Sequence, residues 1–570
     1  MRLKFLKVLM IFGFVLLLAG LFYTQVTKGA YYFKLSEKNR IRLVPIKGPR
    51  GTIFDRNGKK LADNKLSLDV AVVPQELKDK EETFIRLSEI VGVPADELLA
   101  RYSKRYLAPF APITLVRDVD KKTAIIVEEN SVLMPGVMIQ PQPVRFYAGV
   151  CAHVLGYLSE INRQELEALR EYGYKMKDLV GKSGVEKNYD IYLKGEDGGK
   201  QLEVDNRGRV VRVLGSKDAK IGKDIYLTID SDIQETAENG LRGYKGAVIV
   251  MNPNNGEILA LASSPGFDPN AFLDEDAKKN IGRLFLDSAR PMLNRAISGL
   301  YPPGSIFKII TATAGLETKA ITQYSTFTCN GSYYPGRSGF NCWNRDGHGP
   351  QNLVQGIAHS CNVYFFNVGR LAGPDNVTKY ASLYGLGKPT GIDLPGEKKG
   401  LLPSRAWRRA QKRQTWYEGD TLNFSIGQGD LLVTPIQMLT AVSGVANGGY
   451  LVQPYLIKNI AGVESTRMKM RKLPISESTI KSIKTGMIGS VENESGTGKR
   501  AKIEGFRFCA KTGTAQSGRG GNHGWFVGFA PVENPKVSFI VFVEHGGSGG
   551  QVPADIVRSL IEKMREKKML

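Results

Sequence analysis

The stretch that most limits how this chain can fold is its first, "MRLKFLKVLMIFGFVLLLAGLFYTQV", residues 1–26. Arg2, Lys4 and Lys7 precede an uncharged apolar run from Val8 to Tyr23, extended by Thr24 to Val26. With its flanks the run meets the roughly 20 residues that a membrane span requires. The basic flank predicts a cytoplasmic N-terminus and an exported remainder. A cleaved signal peptide is the rival reading. No clean A-x-A site follows and the run is long for a signal core, so residues 1–27 are expected to be a short tail and an uncleaved single-pass anchor.

A chain of 570 residues is too long for one core, and two or three domains are expected. The net charge of +22 suits an anionic membrane surface or an anionic polymer. No zinc-finger spacing, RNP-type motif or basic-zipper pattern accompanies it, which argues against nucleic acid. Five cysteines, at 151, 329, 342, 361 and 509, are too few for a disulfide framework.

After the anchor, "GPRGTIFDRNGKKLADN" (48–64) reads as a hairpin turning at Asn57-Gly58. A helix-forming stretch covers about 80–105. "VRFYAGVCAHVLGY" (144–157) and "GKSGVEKNYDIYLKGEDGGK" (181–200) are glycine-rich and read as turns and packing, with no nucleophile beside a base. Near 220 the texture changes. A strand and turn lead into a helix at Ser231 or Asp232, and "NPNNGE" joins two strands. Helices are expected over 305–318, 352–372 and 433–447, strands over 506–516, 524–530 and 536–544, and a closing helix over 553–567. Hairpins at both ends with helices between them predict an α+β domain over 221–570, its central antiparallel sheet flanked by helices. Residues 28–220 would form a separate, elongated, mostly β pedestal.

Within the second region, "YPPGSIFKIITA" (301–312) aims a lysine at a serine. Ser305 and Lys308 are three apart and so share a face, just after a Pro-Pro-Gly turn. Serine is a weak nucleophile that needs a base. A lysine serves only when neutral, and burial or a neighbouring cation lowers its pKa. Lys308, on an apolar helix and facing Lys511, is expected to feel both. Ser360-Cys361-Asn362 is the chain's one S-x-N. Lys511-Thr512-Gly513-Thr514 lies in "FRFCAKTGTAQ", where Phe506, Phe508 and Ala510 alternate as on a strand. A second S-x-x-K (Ser478, Lys481) and a second Lys-Thr-Gly (484–486) are set aside, because Ile480, Ile483, Met487 and Val491 give that stretch the spacing of an amphipathic helix.

The order S-x-x-K, S-x-N, K-T-G resembles the penicilloyl-serine transferases, whose signature it is. With "RGTIFDRNG", "HVLGY", "GKSGVE", "SIGQGDLLVTPIQM" and "KTGTAQ", nearly the whole chain resembles the class B penicillin-binding proteins, and among them the penicillin-binding protein 2 group of cell-elongation transpeptidases. Ala148 departs from the pattern, where proline is expected. The resemblance implies a peptidoglycan D,D-transpeptidase. Ser305 would attack the D-Ala-D-Ala bond of a stem peptide, release D-Ala and pass the acyl group to an amine on a neighbouring stem. Lys308 would be the base, Ser360 the proton relay and Asn362 a partner of the substrate peptide. Lys511, Thr512 and Thr514 would hold the donor's terminal carboxylate. The Ser305 and Thr514 N–H groups would form the oxyanion hole, and Gly513 would let the substrate backbone approach. Also implied are β-lactams as inhibitors that acylate Ser305, lipid II-derived glycan as substrate, a SEDS-family (RodA-type) polymerase and elongation-complex proteins as partners, the cytoplasmic membrane as location, and no organic cofactor. A serine β-lactamase and a β-lactam receptor or silent scaffold of the same fold are the alternatives.

Cys329, Cys342, His348 and Cys361 lie close together in the chain. Three thiolates and an imidazole form a closed tetrahedral set of the structural zinc type, although the spacing is wider than a zinc finger's. The resemblance adds weight, because members of that group carry zinc in this region. A Cys329–Cys342 disulfide and unrelated buried cysteines are the other readings.

Overall fold

In "GAVIVM" and "VSFIVFV" nearly every residue is apolar, as in strands covered on both faces. The computed structural model of the chain describes all residues except 1, 107–108, 110, 205–209, 274–276, 337–338, 465–468 and 519. It places those runs at the centre of an antiparallel sheet. The strands are β1 (Gly246–Met251), β2 (Ile258–Ser264), β3 (Cys509–Ala515), β4 (His523–Ala530) and β5 (Val537–Val543), in the order β2-β1-β5-β4-β3. Side chains alternate between two cores. Ala247, Ile249, Trp525 and Phe542 enter one, and Val248, Val250, Phe526 and Val541 the other. Helices α1 (Ser231–Gly240), α2 (Lys308–Glu317), α3 (Asn362–Ala372), α4 (Glu477–Glu492) and α5 (Val552–Glu566) pack around it. α1 and α5 cover the second core. The fully buried helix Pro435–Ala446 lies on the other face, and α2 packs against α3 and α4.

This sheet and its helices belong to one of two compact units, which comprises Thr52–Asp63, Tyr147–Leu193 and Asp224–Leu570. The hairpin at Asn57-Gly58 is part of it, with Ile53 and Phe54 pairing in parallel with Ile225 and Tyr226. Asp55 is buried there and accepts hydrogen bonds from Ser231 Oγ (2.6 Å) and the Asn57 and Lys59 N–H groups (2.8 Å each). Ala148 donates its N–H to Leu61 O at 3.0 Å, a bond that proline could not make, so alanine at this departure has a local reason.

The other unit comprises Met1–Gly51, Asn64–Phe146 and Lys194–Lys223. Its core is built from Val70, Val72, Phe84, Leu87, Leu98, Leu115 and Val127. The stretch expected as one helix is two, Lys80–Val91 and Ala95–Arg105, parted where Gly92 turns left-handed (φ +69°). Leu3–Thr27 is long and apolar enough to cross a membrane and is exposed along its length, which fits a single-pass anchor.

Candidate active site

The nucleophile turn is fixed by glycines. Gly304 has φ +57°, and a Cβ there would lie 2.7 Å from Thr514 O. Its N–H donates to Gly427 O at 2.9 Å, and a Cβ on Gly427 would lie 2.3 Å from Gly304 O. Trp525 Nε1 donates to Pro302 O at 3.1 Å. Ser305 therefore sits against strand β3. A Cβ on Gly513 would meet Ile306 Cγ2, Pro303 O and Trp525 Cβ at 3.1 Å each, so this glycine admits the nucleophile turn itself, in addition to any substrate. Gly427 and Trp525 were not assigned a role from sequence. The G-x-G of "SIGQGD" was the available signal for a close backbone approach. Gly304→Ala is expected to slow acylation by a fluorescent penicillin on the order of 100-fold, with the thermal unfolding midpoint moved far less, because a displacement near 1 Å at the nucleophile is enough for that loss.

The chain does not enter the α-helix at Ser305. Gly304–Phe307 is a 3₁₀ turn, and α2 begins at Lys308. Side chains three apart eclipse on such a turn, which aligns Ser305 with Lys308 more closely than an α-helix would. Lys308 is fully buried. Its Nζ donates to Ser360 O (2.7 Å), Ser360 Oγ (3.3 Å) and Asn362 Oδ1 (2.7 Å), and none of these bonds goes to Ser305. The ammonium's three donors are thus all taken up by the Ser-Cys-Asn turn. Burial lowers its pKa to about 8 against the opposing pull of Cys342, Cys361 and Cys329. Lys511, also fully buried, donates to Thr512 O at 2.9 Å, and burial followed by the Lys308 charge pushes its pKa well down. The repulsion expected on Lys308 is therefore felt by its partner. Thr512 is buried on the same strand, and Thr514 is exposed.

The helix expected over 352–372 is interrupted. Leu353–Ala358 ends at His359, Ser360 takes φ +54°, and Cys361 caps α3, its Sγ accepting from Tyr364 N–H at 3.4 Å. A non-glycine residue in this left-handed region costs about 1–3 kcal/mol and persists where its surroundings over-determine it. Here the bond from Lys308 to Ser360 O and the Cys361 N–H to Gly356 O bond (3.0 Å) hold it.

Beside this turn, the ligand atoms of Cys329, Cys342, His348 and Cys361 all lie within 4.8 Å of one another. His348 Nδ1 is 3.6 Å from Cys329 Sγ and 3.5 Å from Cys342 Sγ. A tetrahedral zinc with ordinary Zn–N and Zn–S bonds separates N from S by about 3.6 Å, so the donor set fits that ion. All five cysteines are free thiols, Cys329 and Cys342 included. A hydrogen bond from Cys361 holds the Cys342 thiol far below its ordinary range, and the Asn362 N–H also donates to Cys342 Sγ at 3.4 Å.

Residues 246–562 match the family described as penicillin binding protein transpeptidase domain, and residues 45–227 the penicillin-binding protein dimerisation domain. The chain is 33% identical to the peptidoglycan D,D-transpeptidase MrdA of Salmonella typhimurium over 98% of this chain and 95% of that one. It is similar in structure to penicillin-binding protein 2 of Helicobacter pylori in complex with MreC, with a TM-score of 0.83, 29% identity, and coverage of 93% and 99% of the two chains. It is also similar to a chain of a peptidoglycan synthase complex that coordinates polymerization and crosslinking, with a TM-score of 0.76, 29% identity, and coverage of 98% and 97%. The buried Lys308, held to the Ser-Cys-Asn turn and set beside the Lys-Thr-Gly strand, agrees with these likenesses: the chain belongs to the penicillin-binding protein transpeptidase family and is a serine-type peptidoglycan D,D-transpeptidase of its cell-elongation group.

Proposed function

We propose that Ser305 is the acyl-forming nucleophile. Lys308, losing a proton more readily than an exposed lysine, takes the hydroxyl proton of Ser305 as the D-Ala-D-Ala carbonyl is attacked. Ser360 Oγ, 3.3 Å from Lys308 Nζ, returns a proton to the departing D-Ala amine. The second stem's amine then takes the acyl group. The Ser305 and Thr514 N–H groups receive the oxyanion, each such donor contributing roughly 3 kcal/mol. Asn362 orients the donor peptide, while Lys511, Thr512 and Thr514 receive its carboxylate, whose charge would draw Lys511 back to its protonated form. The observation that carries this reading is the fully buried Lys308, bonded to both Ser360 and Asn362 and one turn from Ser305. The test is cross-linking by the purified full-length protein, with a polymerase partner, on lipid II. D-Ala release and cross-linked dimers in equal amounts are expected, and mass spectrometry would identify the acceptor amine. β-Lactam binding without either product would instead favour a receptor or silent scaffold.

The same reading assigns zinc to Cys329, Cys342, His348 and Cys361. Bound there, the metal would hold Cys361, and with it the direction of Ser360 and Asn362, without touching substrate. Protein purified without added metal is expected to contain about one zinc per chain. His348→Ala should lose it and slow acylation on the order of tenfold. Metal-free protein with full activity would end this assignment.

The anchor is assigned to the cytoplasmic membrane, N-terminus inside and the bulk of the chain on the periplasmic side. A RodA-type polymerase and elongation-complex proteins are its partners, docked through the 28–220 segment. The relatives described with MreC and in a synthase complex support this. The buried bonds of Asp55, and of Arg145 to Gly51 O (2.7 Å), turn those motif charges inward, so docking would fall to neighbouring surface residues.

A further inference from the structure

The loop after α4, "NESGTG" (493–498), has no part in the reaction as described, yet it touches the Lys-Thr-Gly strand at Thr512 and, at His359, the residue before Ser360. Ser495 Oγ lies 2.9 Å from His359 Nε2, next to Ser360. Thr497 Oγ1 lies 2.6 Å from Thr512 Oγ1 and 3.3 Å from Ser490 Oγ. Ser490 is fully buried and Thr512 nearly so. The backbone leaves the loop little freedom. Gly498 donates its N–H to Ser490 O at 2.8 Å, and a Cβ on Gly496 would lie 2.5 Å from Ser490 O. A Cβ on Gly550 would likewise lie 2.5 Å from Thr497 O. Thr497 is thus held at a fixed place behind the strand that carries Lys511 and Thr512.

A hydroxyl has one proton to give and two lone pairs to fill. In the structure Thr512 Oγ1 donates to Thr497 Oγ1, so the Thr512 proton points back into the loop. To bind a carboxylate, Thr512 must turn its own proton outward, and its oxygen must then accept one from behind. Thr497 is the group in position to supply it, and Ser490 is in position to do the same for Thr497. We propose that Thr497 is a positioning residue for donor selection: the relay Ser490–Thr497–Thr512 points the Thr512 proton at the terminal carboxylate of the peptide. The proposal rests on the assignment of Thr512 to that carboxylate. Chained hydroxyls polarise one another in the same direction, which strengthens the final bond to the anion.

The test uses the full-length protein and two synthetic donors: an acyl-D-alanyl thioester of thioglycolate, and the same thioester ended as the carboxamide. Wild-type protein is expected to prefer the carboxylate in acylation. Thr497→Val should lower acylation by the carboxylate donor about tenfold, the scale of one hydrogen bond to a charged group, and leave the carboxamide rate unchanged. Thr497→Ser should restore it. Hydrolysis of the acyl-enzyme should be the same in all three, because the carboxylate has left with thioglycolate. Ser490→Ala should show a smaller loss of the same preference, and it decides the matter if Thr497→Val does not fold. A Thr497→Val or Ser490→Ala protein that keeps the full carboxylate preference overturns the relay. A wild-type protein with no preference overturns the Thr512 assignment beneath it.

Discussion

Ser305→Ala is expected to abolish covalent labelling by fluorescent penicillin, while Ser478→Ala labels at the wild-type rate. The first loses the one side-chain hydroxyl of the turn Gly304–Phe307 beside β3, and without it no acyl bond can form there. The second changes a serine on α4 that is exposed, with Ser476 Oγ at 3.1 Å as its side-chain neighbour. Lys484, of the matching Lys-Thr-Gly decoy, donates to Ala446 O at 2.8 Å and is tied to the helix surface. The two serines share one local pattern and differ in what surrounds them. Labelling in gel, with equal loading and matched melting temperatures, separates them. Persistent labelling of the Ser305 variant would remove the nucleophile from this account.

Lys308→Arg is expected to lower the acylation rate by about 10²–10⁴-fold, the usual contribution of a general base, although it keeps the positive charge. Arginine stays protonated at any accessible pH and cannot accept the serine proton. The wild-type rate should also depend on pH with a definite sign. Lys308 is protonated below its folded-state pKa of about 8, so the rate should fall about tenfold per pH unit below it and level off above. Stopped-flow acylation from pH 6 to 9.5 measures this. A flat profile, or an arginine variant near the wild-type rate, would mean that another group is the base.

The three motifs were legible because the chemistry demands particular residue types at fixed local spacing. The α+β sheet was legible because its central strands β1 and β5 are apolar on both faces and a short turn joins β1 to β2. What could not be read was set by contacts distant in sequence. The break at Ser360 lies in a stretch with helical periodicity, and it is held open by a lysine on another helix and by a cysteine that caps α3. The 3₁₀ entry at Ser305 depends on Gly427, whose G-x-G announces a close backbone approach but not that its partner is Gly304. Likewise "RGTIFDRNG" places Asp55 against Ser231, a pairing across 176 positions of sequence. The Cys/His cluster was readable as a set of donors, because the residue types are rare in this chain and grouped. Because Cys361 is the middle residue of Ser360-Cys361-Asn362, its place beside that turn was legible too; the distances between the ligand atoms come from the fold.

The most direct test is to capture the acyl-enzyme itself. The full-length protein would be incubated with a D-Ala-D-Ala-terminated donor peptide and no acceptor, quenched in acid and digested, and the modified residue mapped by mass spectrometry. The prediction is a single acyl adduct, of donor mass less one D-Ala, on the peptide that carries Ser305. An adduct on any other residue, or D-Ala release with no adduct at Ser305 at any quench time, would contradict it.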